Sequence, residues 1–301
     1  MISVHIITGF LGVGKTTLVK QLLSQKPEEE SWAVIVNEFG ELGVDALMLE
    51  SPSITIKQVP GGCACCAANL PFQMSLNQLL KSKKLDRILI EPSGLGHGDK
   101  LAQLLDEDQY KEWLTLDGVI TLIDPLQFKQ DKYRNHDIYI RQLQVADAIV
   151  ISKADLASKE DIDQVQNWAK SSKRPALISE HGYLPLSWLE GIQHKPSMML
   201  FRPVSKGDNG YFTQGVQFSS TIIFDHEPTI KFFKETSWSR TKGIIQTNQG
   251  WFQINFADDV FEVTPTSPKE WSIIEIIHDQ VLPESLENEL ISLYKEKQNG
   301  V

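Results

Sequence analysis

Short apolar runs alternate with helical patterns through the first two-thirds of the chain. Residues 2–7 (ISVHII), 32–36 (WAVIV), 87–90 (RILI), 118–123 (GVITLI) and 147–151 (DAIVI) are continuous enough to be strands buried on both faces. Between them, Leu18, Val19, Leu22 and Leu23 make an apolar stripe at helical spacing. Phe72, Leu76, Leu79 and Leu80 make a second, with Pro71 in the first turn, where its missing N–H is least felt. Ile162, Val165, Trp168 and Ala169 make a third, opened by Ser158 with Asp161 three residues on, the arrangement of a capping box. Strands and helices in this alternation predict an α/β fold, a mainly parallel sheet with helices on both faces.

Near residues 195–212 (KPSMMLFRPVSKGDNGYF) proline, glycine, serine and charge interrupt the pattern. Beyond them come closely spaced strand candidates, VQFSSTIIF, GIIQT, GWFQINF, VFEVT and WSIIEII, with NQG (248–250) as a hairpin turn. One helix is expected near Pro228 and another over 285–296, on Leu286, Leu290, Leu293 and Tyr294. The expected organisation is an α/β domain over 1–195, a linker over 196–212 and a smaller α+β domain over 213–301.

The first strand runs into Gly9-Phe-Leu-Gly-Val-Gly14-Lys15-Thr16, a full G-x-x-x-x-G-K-[ST] phosphate loop placed between a strand and a helix. Its glycines let backbone amides curl around phosphates, and the helix N-terminus adds partial positive charge. The loop therefore assigns Gly9, Gly12, Val13, Gly14, Lys15, Thr16 and Thr17 to a nucleotide, with Lys15 bridging the β- and γ-phosphates and the Thr16 hydroxyl on Mg²⁺. A glycine-rich turn with a chance lysine is the plain alternative, and the flanking elements argue against it. In RILIEPSG, Glu91 ends an apolar strand, where it can hold Mg²⁺ directly or through water, and the Gly94 amide can approach the γ-phosphate. Lys15, Thr16 and Glu91 are thus the candidates for hydrolysis. In IVISKADL, Lys153 and Asp155 follow a strand as in the N-K-x-D signature for guanine, with Ser152 in place of asparagine. Asp155 would accept hydrogen bonds from guanine N1 and N2, which adenine cannot supply.

Composition narrows the picture. The chain has 301 residues, and 39 acidic against 29 basic side chains give a net charge of −10. No stretch gathers enough Lys and Arg to track nucleic acid. No apolar run nears the ~20 residues of a membrane span, and MISVHIITGF has no signal-peptide start, so a cytoplasmic protein is expected. Yet the only three cysteines, Cys63, Cys65 and Cys66, crowd into VPGGCACCAANLP. In a reducing compartment such a cluster points to metal or catalysis rather than a disulfide. Neither helix nor strand would converge three thiols at this spacing, but Gly61 and Gly62 allow the backbone to turn. Three thiolates suit Zn²⁺, with Cu(I) as a rival, and leave a fourth position for water, a carboxylate or a client's ligand. A redox role is the main alternative, against which the C-x-C-C spacing speaks. Glu38, Glu41 and Asp45 in VNEFGELGVD, after the second strand, are candidate hard ligands in a loop placed to sense the γ-phosphate.

GFLGVGKTT, NEFGE, GGCACC, EPSGLGH and SKAD, in this order, together with the later WSRTKG, resemble the CobW-type metallochaperone GTPases over most of the chain. NEFGELGVD, PGGCACC and IEPSGLGH resemble the YeiR-like zinc-binding branch of that family. The resemblance implies a P-loop GTPase domain with slow GTP hydrolysis, a zinc site on Glu41, Cys63, Cys65 and Cys66, and delivery of the metal to a client metalloprotein. Cobalt and iron are disfavoured alternatives. Two departures stand out: Val36 occupies a position where some relatives have a metal-binding glutamate, and the seven histidines are scattered rather than clustered. The C-terminal domain offers a surface for the client or for assembly into a homo-oligomer. The rival functions are a P-loop small-molecule kinase or ATPase with a structural metal, and a zinc store or sensor for which the nucleotide is only a folding ligand.

Overall fold

A computed structural model describes residues 1–36, 52–59, 70–82, 84–194, 199–201, 205–206, 210–218, 222–236, 238–257, 260–269, 271–280 and 286–296. It divides into two compact units, Met1–Pro196 and Ser197–Val301. In the first unit the elements are β1 (Ile2–Gly9), α1 (Lys15–Ser24), β2 (Trp32–Val36), β3 (Ile54–Gln58), α2 (Leu70–Ser82), β4 (Arg87–Glu91), α3 (Gly98–Leu105) and β5 (Leu114–Ile123). Three short helices follow, α4 (Pro125–Phe128), α5 (Asp131–Arg134) and α6 (Asp137–Val145), then β6 (Ala148–Ile151), α7 (Lys159–Ser171), β7 (Ala176–Ile178) and α8 (Leu186–Glu190).

The strands form one parallel sheet in the order β3-β2-β4-β1-β5-β6-β7. Alternate side chains feed two cores. On β2, Trp32, Val34 and Val36 belong to the core that α1 and α7 line on one face, whereas Ala33 and Ile35 belong to the core that α2 and α3 line on the other. Burial on both faces is why these strands are continuously apolar. At α7 the cap forms as its spacing predicts: the Ser158 hydroxyl accepts from the Asp161 amide at 3.2 Å. Two strands lack the apolar run. β3 is an edge strand whose Thr55 and Lys57 alternate with isoleucine, and β7 is only three residues long. β5 also begins four residues before the apolar run, at Leu114, because Leu114 and Leu116 are buried while Thr115 between them faces out.

The second unit is an antiparallel sheet with helices packed on it. Its elements are β8 (Met199–Phe201), β9 (Ser205–Lys206), β10 (Phe212–Phe218), β11 (Ile222–Phe224), α9 (His226–Glu235), β12 (Arg240–Thr247), β13 (Gly250–Ala257), β14 (Val260–Pro265), β15 (Ser272–His278), α10 (Leu286–Ile291) and β16 (Tyr294–Glu296). The main path runs β14-β13-β12-β15-β10-β8, and β11 joins β12, in a short parallel pairing, to β16, with which it runs antiparallel. Within the expected linker, β8 and β9 pair with β10, so proline and glycine there separate short strands rather than mark an open connector. The run VQFSSTIIF is two strands, β10 and β11, rather than one. The helix expected over 285–296 stops at Ile291, and Tyr294 continues as a strand. Its ring meets Phe218 and Phe224 edge-on at 6.5 and 5.8 Å, so tertiary packing overrides the helical spacing. Among the described residues no helix is long and apolar enough to cross a membrane.

The last part of the first unit is tied down by an ion cluster. The His194 side chain, only 5% exposed, meets Asp147 at 2.6 Å through Nδ1 and Asp106 at 3.2 Å through Nε2. Burial opposes its charge, but hydrogen bonds to Asp106 and Asp147 and their negative charges outweigh that and push its pKa up to about 9. The folded value lies above the unfolded one of about 6.5, so the stabilisation is complete below about pH 6.5, fades as pH rises and is gone above about 9. The melting-temperature gap between the native protein and His194→Gln is therefore expected to shrink across that window. A constant gap would refute the assignment.

Candidate functional site

The site is built at the carboxyl ends of the parallel strands, where β1 gives way to α1. Gly12 and Gly14 adopt φ of +72° and +94°, a left-handed backbone that turns successive amides inward. Gly14 is the N-cap of α1 and, lacking a side chain, leaves the first amides of the helix uncapped by it. Those N–H groups and the helix dipole form an anion cradle. Lys15 is buried and donates from Nζ to the Phe10 carbonyl at 3.1 Å, bending back across the loop. Val13 is fully buried and anchors the loop in the core, so its contribution to a phosphate can only be its amide.

The structure brings the two proposed magnesium residues together. Thr16 Oγ1 donates to Glu91 Oε1 at 2.7 Å, across 75 residues of sequence. A hydroxyl and a carboxylate side by side are the hard oxygen donors that Mg²⁺ prefers. Just beyond Glu91, Gly94 lies directly on the phosphate loop: a β-carbon there would sit 2.8 Å from the backbone of Leu11. Only glycine permits that approach.

Lys153 and Asp155 follow β6 and are shaped by an αL residue, Lys153 itself, at φ +53°. Lys153 Nζ pairs with Asp124 at 3.1 Å, and Asp124 in turn caps α4 by accepting from the Leu126 amide. Asp155 Oδ1 accepts from the His181 amide at 3.2 Å, and His181 Nδ1 lies 3.4 Å from Oδ2. The Asp155 side chain is 22% exposed, so it is partly solvated. Ser152 is buried, and its hydroxyl has no hydrogen-bond partner among the described residues. Behind Asp155, Gly182 packs against Thr17 and Leu18, which draws this loop to the start of α1.

Several residues that the sequence did not single out complete the surroundings. Gln127 on α4 donates to the Leu11 carbonyl at 3.0 Å. Phe10 is caged edge-on by Tyr133, His136 and Tyr139. His181 and Gly182 follow β7, a strand too short to announce itself. The Asp-Pro after β5 was the one legible signal, a carboxylate at a strand end followed by proline in a first helical turn.

Glu41, Cys63, Cys65 and Cys66, with Glu38 and Asp45, lie outside the described residues. Among the described residues no group of three or more His, Cys, Asp or Glu side chains could hold a metal ion. The points from which those segments depart are nevertheless fixed. Val36, which precedes NEFGE, is the register partner of Glu91 on β4. The Val59 amide, just before PGGCACC, donates to the Val36 carbonyl at 2.9 Å.

The family model described as CobW/HypB/UreG, nucleotide-binding domain, matches residues 3–179. The chain is 33% identical over 305 aligned positions to the zinc chaperone YeiR of Escherichia coli, covering 92% of this chain and 93% of that one. It is 32% identical to the zinc chaperone CobW of Pseudomonas aeruginosa, over 64% of this chain and 60% of the relative. In fold it is similar to a Zn(II)-bound triple mutant of the YjiA GTPase, with TM-score 0.51, 20% identity and coverage of 98% and 99%. The chain belongs to the CobW/HypB/UreG nucleotide-binding family.

Proposed function

We propose that this protein is a GTP-hydrolysing zinc chaperone that loads a divalent metal on Glu41, Cys63, Cys65 and Cys66 and passes it to a client metalloprotein. One observation carries the reading. Val36 and Val59, from which the two candidate metal-binding segments depart, are hydrogen-bonded neighbours, and Val36 stands beside Glu91 at the phosphate end of β4. A change at Glu91 thus acts one strand spacing, about 4.8 Å, from the root of the first segment, and two from the root of the second. Relatives named as zinc chaperones support the cargo, and a reducing compartment would keep the thiolates available.

In this reading Lys15 exchanges the Phe10 carbonyl for the β- and γ-phosphate oxygens and stabilises the charge that spreads over them as the bond to the γ-phosphorus breaks. Thr16 and Glu91 would hold Mg²⁺, which supplies further charge neutralisation on the same oxygens. Amides of the phosphate loop orient the chain of phosphates, Gly94 contacts the terminal one, and Asp155 with the 179–182 loop recognises guanine. No glutamine was evident in the sequence to position water, which fits slow turnover. The three thiolates and Glu41 take zinc as cargo, and an exchangeable ligand set favours transfer over storage.

The test is direct. The purified protein should hydrolyse GTP in preference to ATP and bind one zinc, and Cys65→Ala should lose the zinc while keeping GTP binding. A preference for ATP with phosphate transfer to a metabolite would establish the kinase reading instead.

A further inference from the structure

We propose that Gln142 is a positioning residue that holds the loop after β4 against the phosphate loop, and so sets how the protein distinguishes GTP from GDP. This rests on the nucleotide-dependent reading above. Tyr139, Gln142 and Val145 are the buried positions of α6, at helical spacing. An apolar side chain would suit the middle of such a stripe, and a buried amide is costly unless hydrogen-bonded. Gln142 is only 2% exposed, and what it meets there is the loop: Nε2 donates to the Gly94 carbonyl at 3.2 Å and to the Gly96 carbonyl at 3.4 Å.

The helix that carries Gln142 is itself fixed. Thr121 on β5 donates to the Gln142 carbonyl at 2.8 Å, and the neighbouring Arg141 pairs with Asp99 at 3.4 Å, in the first turn of α3. The loop between Glu91 and α3 is therefore held at three places: by Thr16 at Glu91, by Gln142 in the middle, and by Arg141 beyond. Because a trans peptide points its C=O and the next N–H in opposite directions, fixing both carbonyls also fixes the amides of Leu95 and His97. Gly94 meanwhile rests on Leu11, whose carbonyl is held by Gln127. Helices α4 and α6, separated only by the short α5, thus grip both phosphate-facing loops, and the loop after β4 cannot turn a peptide without releasing Gln142.

Two variants test this. Gln142→Glu replaces the donor by an acceptor facing two carbonyls, and Gln142→Met removes the hydrogen bonds at similar volume. Affinities for GDP and for a non-hydrolysable GTP analogue, with single-turnover GTP hydrolysis, are compared with the native protein. Loss of two neutral hydrogen bonds should shift the ratio of the two affinities by roughly 5- to 100-fold and slow hydrolysis, with GDP affinity held within about twofold. Parallel loss of both affinities, or no change in either variant, overturns the proposal. If one variant fails to fold, the other decides. If the native protein neither prefers GTP nor hydrolyses it, the parent reading fails as well. If it does both and the variants match it, only the role of Gln142 falls.

Discussion

Replacing Lys15 by alanine is expected to lower single-turnover GTP hydrolysis by about 10²–10³-fold at saturating nucleotide, with the fold retained. In the structure Lys15 is buried, and its ammonium lies on the Phe10 carbonyl, inside the curl made by Gly12 and Gly14. That partner is a neutral backbone oxygen, whereas phosphate oxygens carry charge, so the lysine gains most when charge grows in the transition state. Loss of the bond to the Phe10 carbonyl costs the fold about 1 kcal/mol, and the reaction loses far more. A melting curve close to that of the native protein, with hydrolysis nearly lost, is the expected pair of results. Hydrolysis within about threefold of native would place the phosphate chemistry elsewhere.

Asp155→Asn is expected to weaken GTP binding by roughly 100-fold or more and to favour XTP. Guanine offers two donors, N1–H and N2–H, to the carboxylate, and each charge-assisted bond contributes about 1.5–3 kcal/mol. Asparagine has one acceptor and one donor, which fits the N1–H and 2-oxo group of xanthine instead. Its oxygen can still accept from the His181 amide, as Asp155 Oδ1 does, so the loop should keep its place. Competition binding with GTP, XTP and ATP reads this out. Unchanged GTP affinity would remove Asp155 from base recognition and leave buried Ser152, whose hydroxyl has no partner among the described residues, as the first residue to examine.

What could be read from the sequence was local. The phosphate loop and its strand and helix sit within about two dozen residues, and two-sided burial makes β1, β2, β4 and β6 visible as apolar runs. The cap at Ser158 was equally local. What escaped depended on partners far along the chain. Gln142 reads as an ordinary helical residue until the fold brings it to Gly94, 48 positions away. Tyr294 carries helical spacing, but the rings of Phe218 and Phe224 claim it for a strand. Edge strand β3 alternates like an exposed segment, so its place beside β2 was not legible. With it went the juxtaposition of Val36, Val59 and Glu91 on which the coupling rests. The acidic balance, by contrast, bears on neither the fold nor the site.

The central claim is that the nucleotide state sets the hold on zinc. The measurement that tests it most directly is zinc affinity with GDP bound and with a non-hydrolysable GTP analogue bound, in the native protein and in Cys65→Ala. A coupling of ~1–3 kcal/mol predicts affinities that differ several-fold to about a hundredfold between the two states, a difference absent in Cys65→Ala. Equal zinc affinity in the two nucleotide states would contradict the account.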